Sequence, residues 1–192
     1  MRRTAHILLA AAVLLLLGRE ARAQTALLGV FQSPKGIGLT AMLDAAKGKE
    51  TNILTLRTDF YGFLSGRTRD IGACLTYTHD YYFYRRESEG VRLALHAGAG
   101  GMVGYAHDHE KGFFSSFDRQ LDRGPGFVVA LTGQAGVRLD FRRHITVDLS
   151  FSACPGIHLR SDSNTGAMLL SFFKSGIYCV YYPQINIMYR FR

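Results

Sequence analysis

GFVVALTGQAGVRLDFRRHITVDLSFSAC, residues 126–154, decides how the rest of the chain is read. Phe127, Val129, Leu131, Ala135, Val137 and Leu139 fall on one parity, and Thr132, Gln134, Arg138 and Asp140 on the other. After Phe141, Arg142, Arg143 and His144 the alternation restarts, with Ile145, Val147, Leu149 and Phe151 set against Thr146, Asp148, Ser150 and Ser152. A period of two puts each set on its own face of a strand, which predicts a hairpin with one apolar and one polar face. The apolar face is long enough for a tilted strand to cross a bilayer core, for which about 9–11 residues suffice. Ionised groups on the other face must border water or partners of their own.

The same element recurs on both sides. Toward the C-terminus, Ile185, Ile187, Tyr189 and Phe191 alternate with Gln184, Asn186, Met188 and Arg190 at the end of a strand predicted from Gly176. Toward the N-terminus, Val91 to Tyr105 sets Leu93, Leu95, Ala97 and Val103 against Arg92, His96, Met102 and several glycines. Ile71 to Tyr84 sets Ala73, Leu75 and Tyr77 against Cys74, Thr76, Thr78 and Asp80. It closes on Tyr81, Tyr82, Phe83 and Tyr84, residues suited to a girdle at a lipid–water boundary. Asn52 to Leu64 carries Leu54, Leu56 and Phe60 against Thr55, Arg57, Asp59 and Tyr61, and Ile37 to Ala45 carries Leu39 and Leu43 against Thr40 and Asp44. Turn signals such as Ser33-Pro34-Lys35-Gly36 and Ser65-Gly66-Arg67-Thr68 separate the segments.

Two longer polar insertions interrupt the series, Ala106 to Pro125 and Pro155 to Ser175. Counting Ala26 to Gln32 as a strand, and Pro155 to Ser175 as one excursion, gives about eight strands with both insertions on one side. Omitting the first segment and counting Ala167 to Phe173 also gives about eight, but scatters the long loops. The first count is preferred. The predicted fold is all-β: a closed antiparallel transmembrane β-barrel of about eight strands, since only closure leaves no backbone edge unpaired in lipid.

The N-terminus stands apart from this pattern. Arg2 and Arg3 precede an apolar run from Ile7 to Leu17, followed by Ala21-Arg22-Ala23. That is a signal peptide over residues 1–23, which leaves residues 24–192 as one domain. Its removal lowers the formal net charge from +8 to about +5. The remaining basic residues are scattered and many share a face with Asp, so no nucleic-acid partner is expected. Cys74, Cys154 and Cys179 are odd in number and lack zinc-ligand spacing. One disulfide with a spare thiol and three buried thiols both remain open. No metal or other cofactor is called for.

A signal peptide, repeated dyad strands and a final strand with Ile185, Ile187, Tyr189 and Phe191 together resemble bacterial outer-membrane β-barrel proteins, specifically their small uncharacterised families. The resemblance spans the mature chain and is architectural. It implies the outer membrane of a Gram-negative bacterium, with membrane lipid and lipopolysaccharide as surroundings. It also implies a monomer whose closing strand is read by the barrel-assembly machinery through those four residues. Arg192 follows Phe191, one residue past the family's usual aromatic end.

Three groups of residues are candidate sites. The polar parity supplies a lumen charge network: Arg57, Asp59, Asp80, Arg92, His96, Arg138, Asp140, Asp148 and Arg190, with Asp44 on the same face. Opposite charges nearly match in number, and an interior of about eight strands is only wide enough for side chains. A hydrogen-bonded plug is therefore expected, with a polar ligand site or proton path as the alternative. His107-Asp108-His109-Glu110 has metal-ligand chemistry but reads as a solvated loop. His158, Ser161, Ser163 and Asn164 invite comparison with outer-membrane lipid A deacylases, which use a His-x-Ser pair; no Ser stands two after His158. A non-enzymatic barrel with structural or surface-binding loops is the expected function. The alternatives are a barrel hydrolase of lipid A or phospholipid using His158 with Ser161 or Ser163, and a soluble lipocalin-like barrel with the apolar parity inside.

Overall fold

The computed structural model describes residues 25–33, 36–45, 48–58, 60, 71–106, 126–141, 144–161, 168–171 and 181–191. Side chains at 106, 158, 160, 161, 168–171, 181 and 182 are not described. The strands are β1 (Thr25–Ser33), β2 (Gly36–Asp44), β3 (Glu50–Thr58), β4 (Ala73–Ser88) and β5 (Val91–Ala106). Then come β6 (Gly126–Phe141), β7 (Ile145–Ala153), β8 (Gly156–Ser161), β9 (Met168–Ser171) and β10 (Tyr181–Arg190). Every pairing is antiparallel, and the wall runs β1–β2–β3–β4–β5–β6–β7–β10 before β10 meets β1 again. It is a closed eight-stranded antiparallel barrel.

Following hydrogen-bonded partners once round gives its geometry. Thr25 leads through Asp44, Thr51, Asp80, Gly98, Gln134 and Ser152 to Tyr182. The β1–β10 register, with Gln32 opposite Ile185, carries Tyr182 onto position 35, ten residues above the start. That stagger on eight strands inclines them about 40° to the axis and leaves an interior that side chains can fill. The chain enters β1 and leaves β10 at one end, where the connections 45–49, 89–90 and 142–144 are short. The tightest of these is Glu89-Gly90, with φ of 29° and 88°, the doubly positive geometry that suits the twist of a two-residue hairpin. Connections 59–72, 107–125 and 162–167 leave from the opposite end.

The segment Pro155 to Ser175 contains more order than an excursion. β7 pairs with the lower half of β6 and β8 with the upper half, Gly126–Ala130. At the join, the amide of Leu131 donates to the carbonyl of Pro155 at 2.9 Å. β7 and β8 thus form one wall strand with a step at Cys154-Pro155, where proline has no amide hydrogen to continue the ladder. β9 folds back on β8, with His158 opposite Ser171.

The two parities separate as inside and outside. Leu28, Val30, Leu39, Leu149, Ile185 and Ile187 point outward, and Leu131 is 72% exposed. Thr40, Thr55, Thr76, Thr132, Ser150, Ser152, Gln184 and Asn186 are buried in the lumen with most of the charges. This overturns the lipocalin-like alternative, which needs the apolar parity inside. Inward glycines let side chains from neighbouring strands cross the lumen. A methyl group on Gly136 would stand 2.5 Å from His96 Nε2 and 2.7 Å from Ser150 Cβ, whereas one on Gly133 would meet nothing within 4 Å.

Candidate functional site

The lumen is built in layers, and its lowest is centred on Arg138 of β6. Strict alternation turns Arg138 and Asp140 inward together, and the register sets them opposite Ala94 and Arg92 of β5 and Asp148 and Thr146 of β7. Arg138 grips Asp44 of β2 with both terminal nitrogens, at 2.8 and 3.0 Å, and its Nε donates to Asp140 at 2.9 Å. Arg190 approaches the same Asp140 oxygen at 3.0 Å, and the Thr146 hydroxyl donates to it at 2.6 Å. Arg138 also donates to the Tyr82 hydroxyl, which in turn donates to Asp44 at 3.2 Å. The Arg85 guanidinium lies over the Tyr82 ring, 4.3 Å from its centroid, and that of Arg138 lies 5.6 Å from the same centroid. The forked Arg138–Asp44 contact is geometry that lysine cannot reproduce.

His96 of β5 forms the next layer. Its two ring nitrogens lie 2.7 Å from Asp80 of β4 and 2.7 Å from Asp148 of β7. Ionised carboxylates only accept, so each ring nitrogen donates and the ring bridges the lumen as an imidazolium. Asn186 donates to Asp148 at 3.0 Å, and Gln134 reaches Asp80 at 3.5 Å. These groups are almost wholly inaccessible: Asp80 and Asp148 are 0% exposed and His96 is 1% exposed. Removing one member of such a buried set leaves an uncompensated charge and costs about 3–5 kcal/mol.

Above lie neutral polar groups. Gln184 donates to Ser150 at 2.8 Å and to Gln134 at 3.3 Å, and Thr40 meets Thr55 at 3.4 Å. Arg57 is 3% exposed and donates to the Met102 sulfur at 3.7 Å. Two apolar clusters complete the fill: Leu27, Met42, Ile53 and Met188, and Cys74, Met102, Val128, Ala130 and Cys154. Among the described lumen groups, Arg57, His96, Arg138 and Arg190 face Asp44, Asp80, Asp140 and Asp148, so positive and negative charges are equal in number.

The network expected from sequence divides as follows. Asp80, His96, Arg138, Asp140, Asp148 and Arg190 meet as described, and Arg57 sits higher. Arg92 does not join them. It lies on the length of hairpin that β4 and β5 extend beyond the start of β3, and its half-exposed side chain pairs with Glu87 at 3.5 Å. Asp59 lies outside the described residues. Tyr82 departs from the expected girdle because it lies two residues from the inward Asp80, and a bulge at Phe83 then turns Tyr84 outward. Tyr82 keeps the inward parity of Asp80, while Tyr81, Phe83 and, past the bulge, Tyr84 are exposed outside. Tyr82, Gln134 and Asn186 were legible as inward partners from parity with Asp80, Thr132 and Met188.

Ile185, Ile187 and Tyr189 line the outer face of β10 and Phe191 follows its end, each about half-exposed, with His144 stacked on Tyr189. Among the described residues, a polar group interrupts the apolar exterior near the short-turn end. Tyr77 and His79 both contact the Asn52 side-chain oxygen at 2.8 Å, and Glu50 lies 3.9 Å from His79. For the hydrolase alternative, His158 and Ser161 lie in β8 with side chains not described, and Ser163 and Asn164 fall outside the described residues. His107-Asp108-His109-Glu110, residues 1–23, which the sequence reads as a signal peptide, and Cys179 also fall outside the described residues. Cys74 and Cys154 are buried.

Set beside known proteins, no family model matches the chain, and no curated protein does. Solved structures do. One is a major outer membrane protein from Thermus thermophilus, which matches at 14% identity and TM-score 0.52 over 88% of this chain and 100% of that one. The likeness is one of fold.

Proposed function

We propose that this protein is a non-enzymatic integral barrel of a bacterial outer membrane. Its lumen is plugged by paired charge, and its role lies in anchoring or in the surface loops at the end opposite the termini. The inverted polarity carries this reading: a wall of Leu, Val and Ile outside, and an ion-paired polar interior. In water such an exterior would be a large exposed apolar surface, which monomeric soluble proteins rarely carry. In a bilayer it is the solvated state. Exposed Tyr81, Phe83, Tyr84, Phe141, Tyr189 and Phe191 at the short-turn end, and Tyr105 and Phe127 at the other, supply aromatic belts. The fold shared with an outer membrane protein is consistent with this location. On this reading the partners are membrane lipid, lipopolysaccharide and the assembly machinery that engages β10.

The decisive experiment is fractionation of the mature protein with detergent-gel mobility before and after boiling. Outer-membrane recovery and faster migration unheated are expected. Recovery as a soluble periplasmic protein would reject the proposal. Planar-bilayer recording should show no porin-sized conductance, since open aqueous channels belong to barrels of about sixteen strands or more.

A further inference from the structure

A cavity of about 10 Å³ sits in mid-lumen between the His96 layer and Arg57. Its walls include Arg57, Thr78, Gln134, Ser152 and Gln184, with Phe31 and Ile53 on the apolar side. Space of that size holds about one water molecule, and a cavity lined by polar groups does not stay dry. Thr78 is 1% exposed, and its hydroxyl has no hydrogen-bond partner among the described residues. Three of the other bonds around this space are long, Ser152 to Gln134 at 3.4 Å, Gln184 to Gln134 at 3.3 Å and Gln134 to Asp80 at 3.5 Å, while Gln184 also holds Ser150 at 2.8 Å. The charged layers below have contacts of 2.7 to 3.0 Å.

We propose that this cavity is a binding site for one ordered water, held by the Thr78 hydroxyl and the Gln134–Gln184–Ser152 group. The water satisfies a buried hydroxyl that would otherwise carry an uncompensated desolvation cost. Through Gln134 it also connects the Asp80–His96–Asp148 layer to the Arg57 layer, making the lumen one continuous polar network. A neutral ligand fits better than an anion. The described lumen charges already balance, and an added anion would leave a net buried charge. This inference rests on the packed-lumen reading above.

The test uses the purified full barrel in detergent micelles. Wild-type protein should give magnetisation transfer from a long-lived water to the Thr78 and Gln134 side chains; its absence overturns the site. Thr78→Val keeps shape but removes the hydroxyl, and should lower the folding equilibrium constant about fivefold, the scale of one net hydrogen bond. Thr78→Ser should restore the water signal. A more stable Thr78→Val variant would mean the hydroxyl was unsolvated and would overturn the site while leaving a silent barrel intact. Saturable chloride-dependent shifts at Thr78 and Gln134 would replace water with an anion. Porin-sized conductance would overturn the packed lumen, and this site with it.

Discussion

Arg138→Met is the sharpest probe of the lumen. Methionine keeps much of the length and packing but withdraws the guanidinium from Asp44, Asp140 and Tyr82. Asp140 retains Arg190 at 3.0 Å and the Thr146 hydroxyl, so it stays partly compensated. Asp44 keeps the Tyr82 hydroxyl, and its side chain is 18% exposed, so water relieves some of its charge. The loss should therefore fall at the lower end of the range for breaking a buried pair, about 3 kcal/mol, or roughly a hundredfold in the unfolding constant. Urea titration of the purified barrel, followed by gel mobility, reads that number. The double variant Arg138→Met with Asp44→Asn should recover at least 1 kcal/mol, approximately, because the orphaned carboxylate is gone. A single variant as stable as the parent, or a double variant no better than the single, would refute the view that these pairs hold the lumen closed.

Three further outcomes follow from the same geometry. Leu131→Arg, at the most exposed of the large apolar positions, should cost about 2–4 kcal/mol near mid-membrane, while Thr132→Ser should be nearly silent; equal tolerance of both parities in a refolding assay would mean the faces are misassigned. Gly136→Ala should destabilise by about 1–3 kcal/mol through overpacking, because its methyl meets His96 and Ser150, whereas Gly133→Ala should change stability little. Replacing Tyr189 and Phe191 with Ala should reduce membrane insertion measured by fractionation, and deletion of Arg192 alone should not; normal insertion of the double variant would remove the recognition role proposed for β10.

What the sequence alone determined is which residues share a face. A strand alternates with period two, so Arg138, Asp140, Asp148, His96 and Asp80 were marked as one set by their spacing. The strand count followed from the same rhythm and the turns between. Alternation is symmetric, however, and says nothing about which face is enclosed. Closure decided that, through the β1–β10 pairing and a stagger of ten residues round the wall. Partner choice also had to wait for the fold. His96 lies 16 residues from Asp80 and 52 from Asp148, and only the register of β4, β5, β6 and β7 brings both carboxylates to its ring. Arg92 obeys the lumen parity but stands on the part of the hairpin that runs beyond the start of β3, half-exposed and paired with Glu87. Tyr82 and Tyr84 share a parity in sequence and end on opposite faces because one bulged residue resets the count. Local periodicity fixes faces along a strand; bulges, strand ends and closure are properties of neighbouring strands, so only the tertiary structure could supply them.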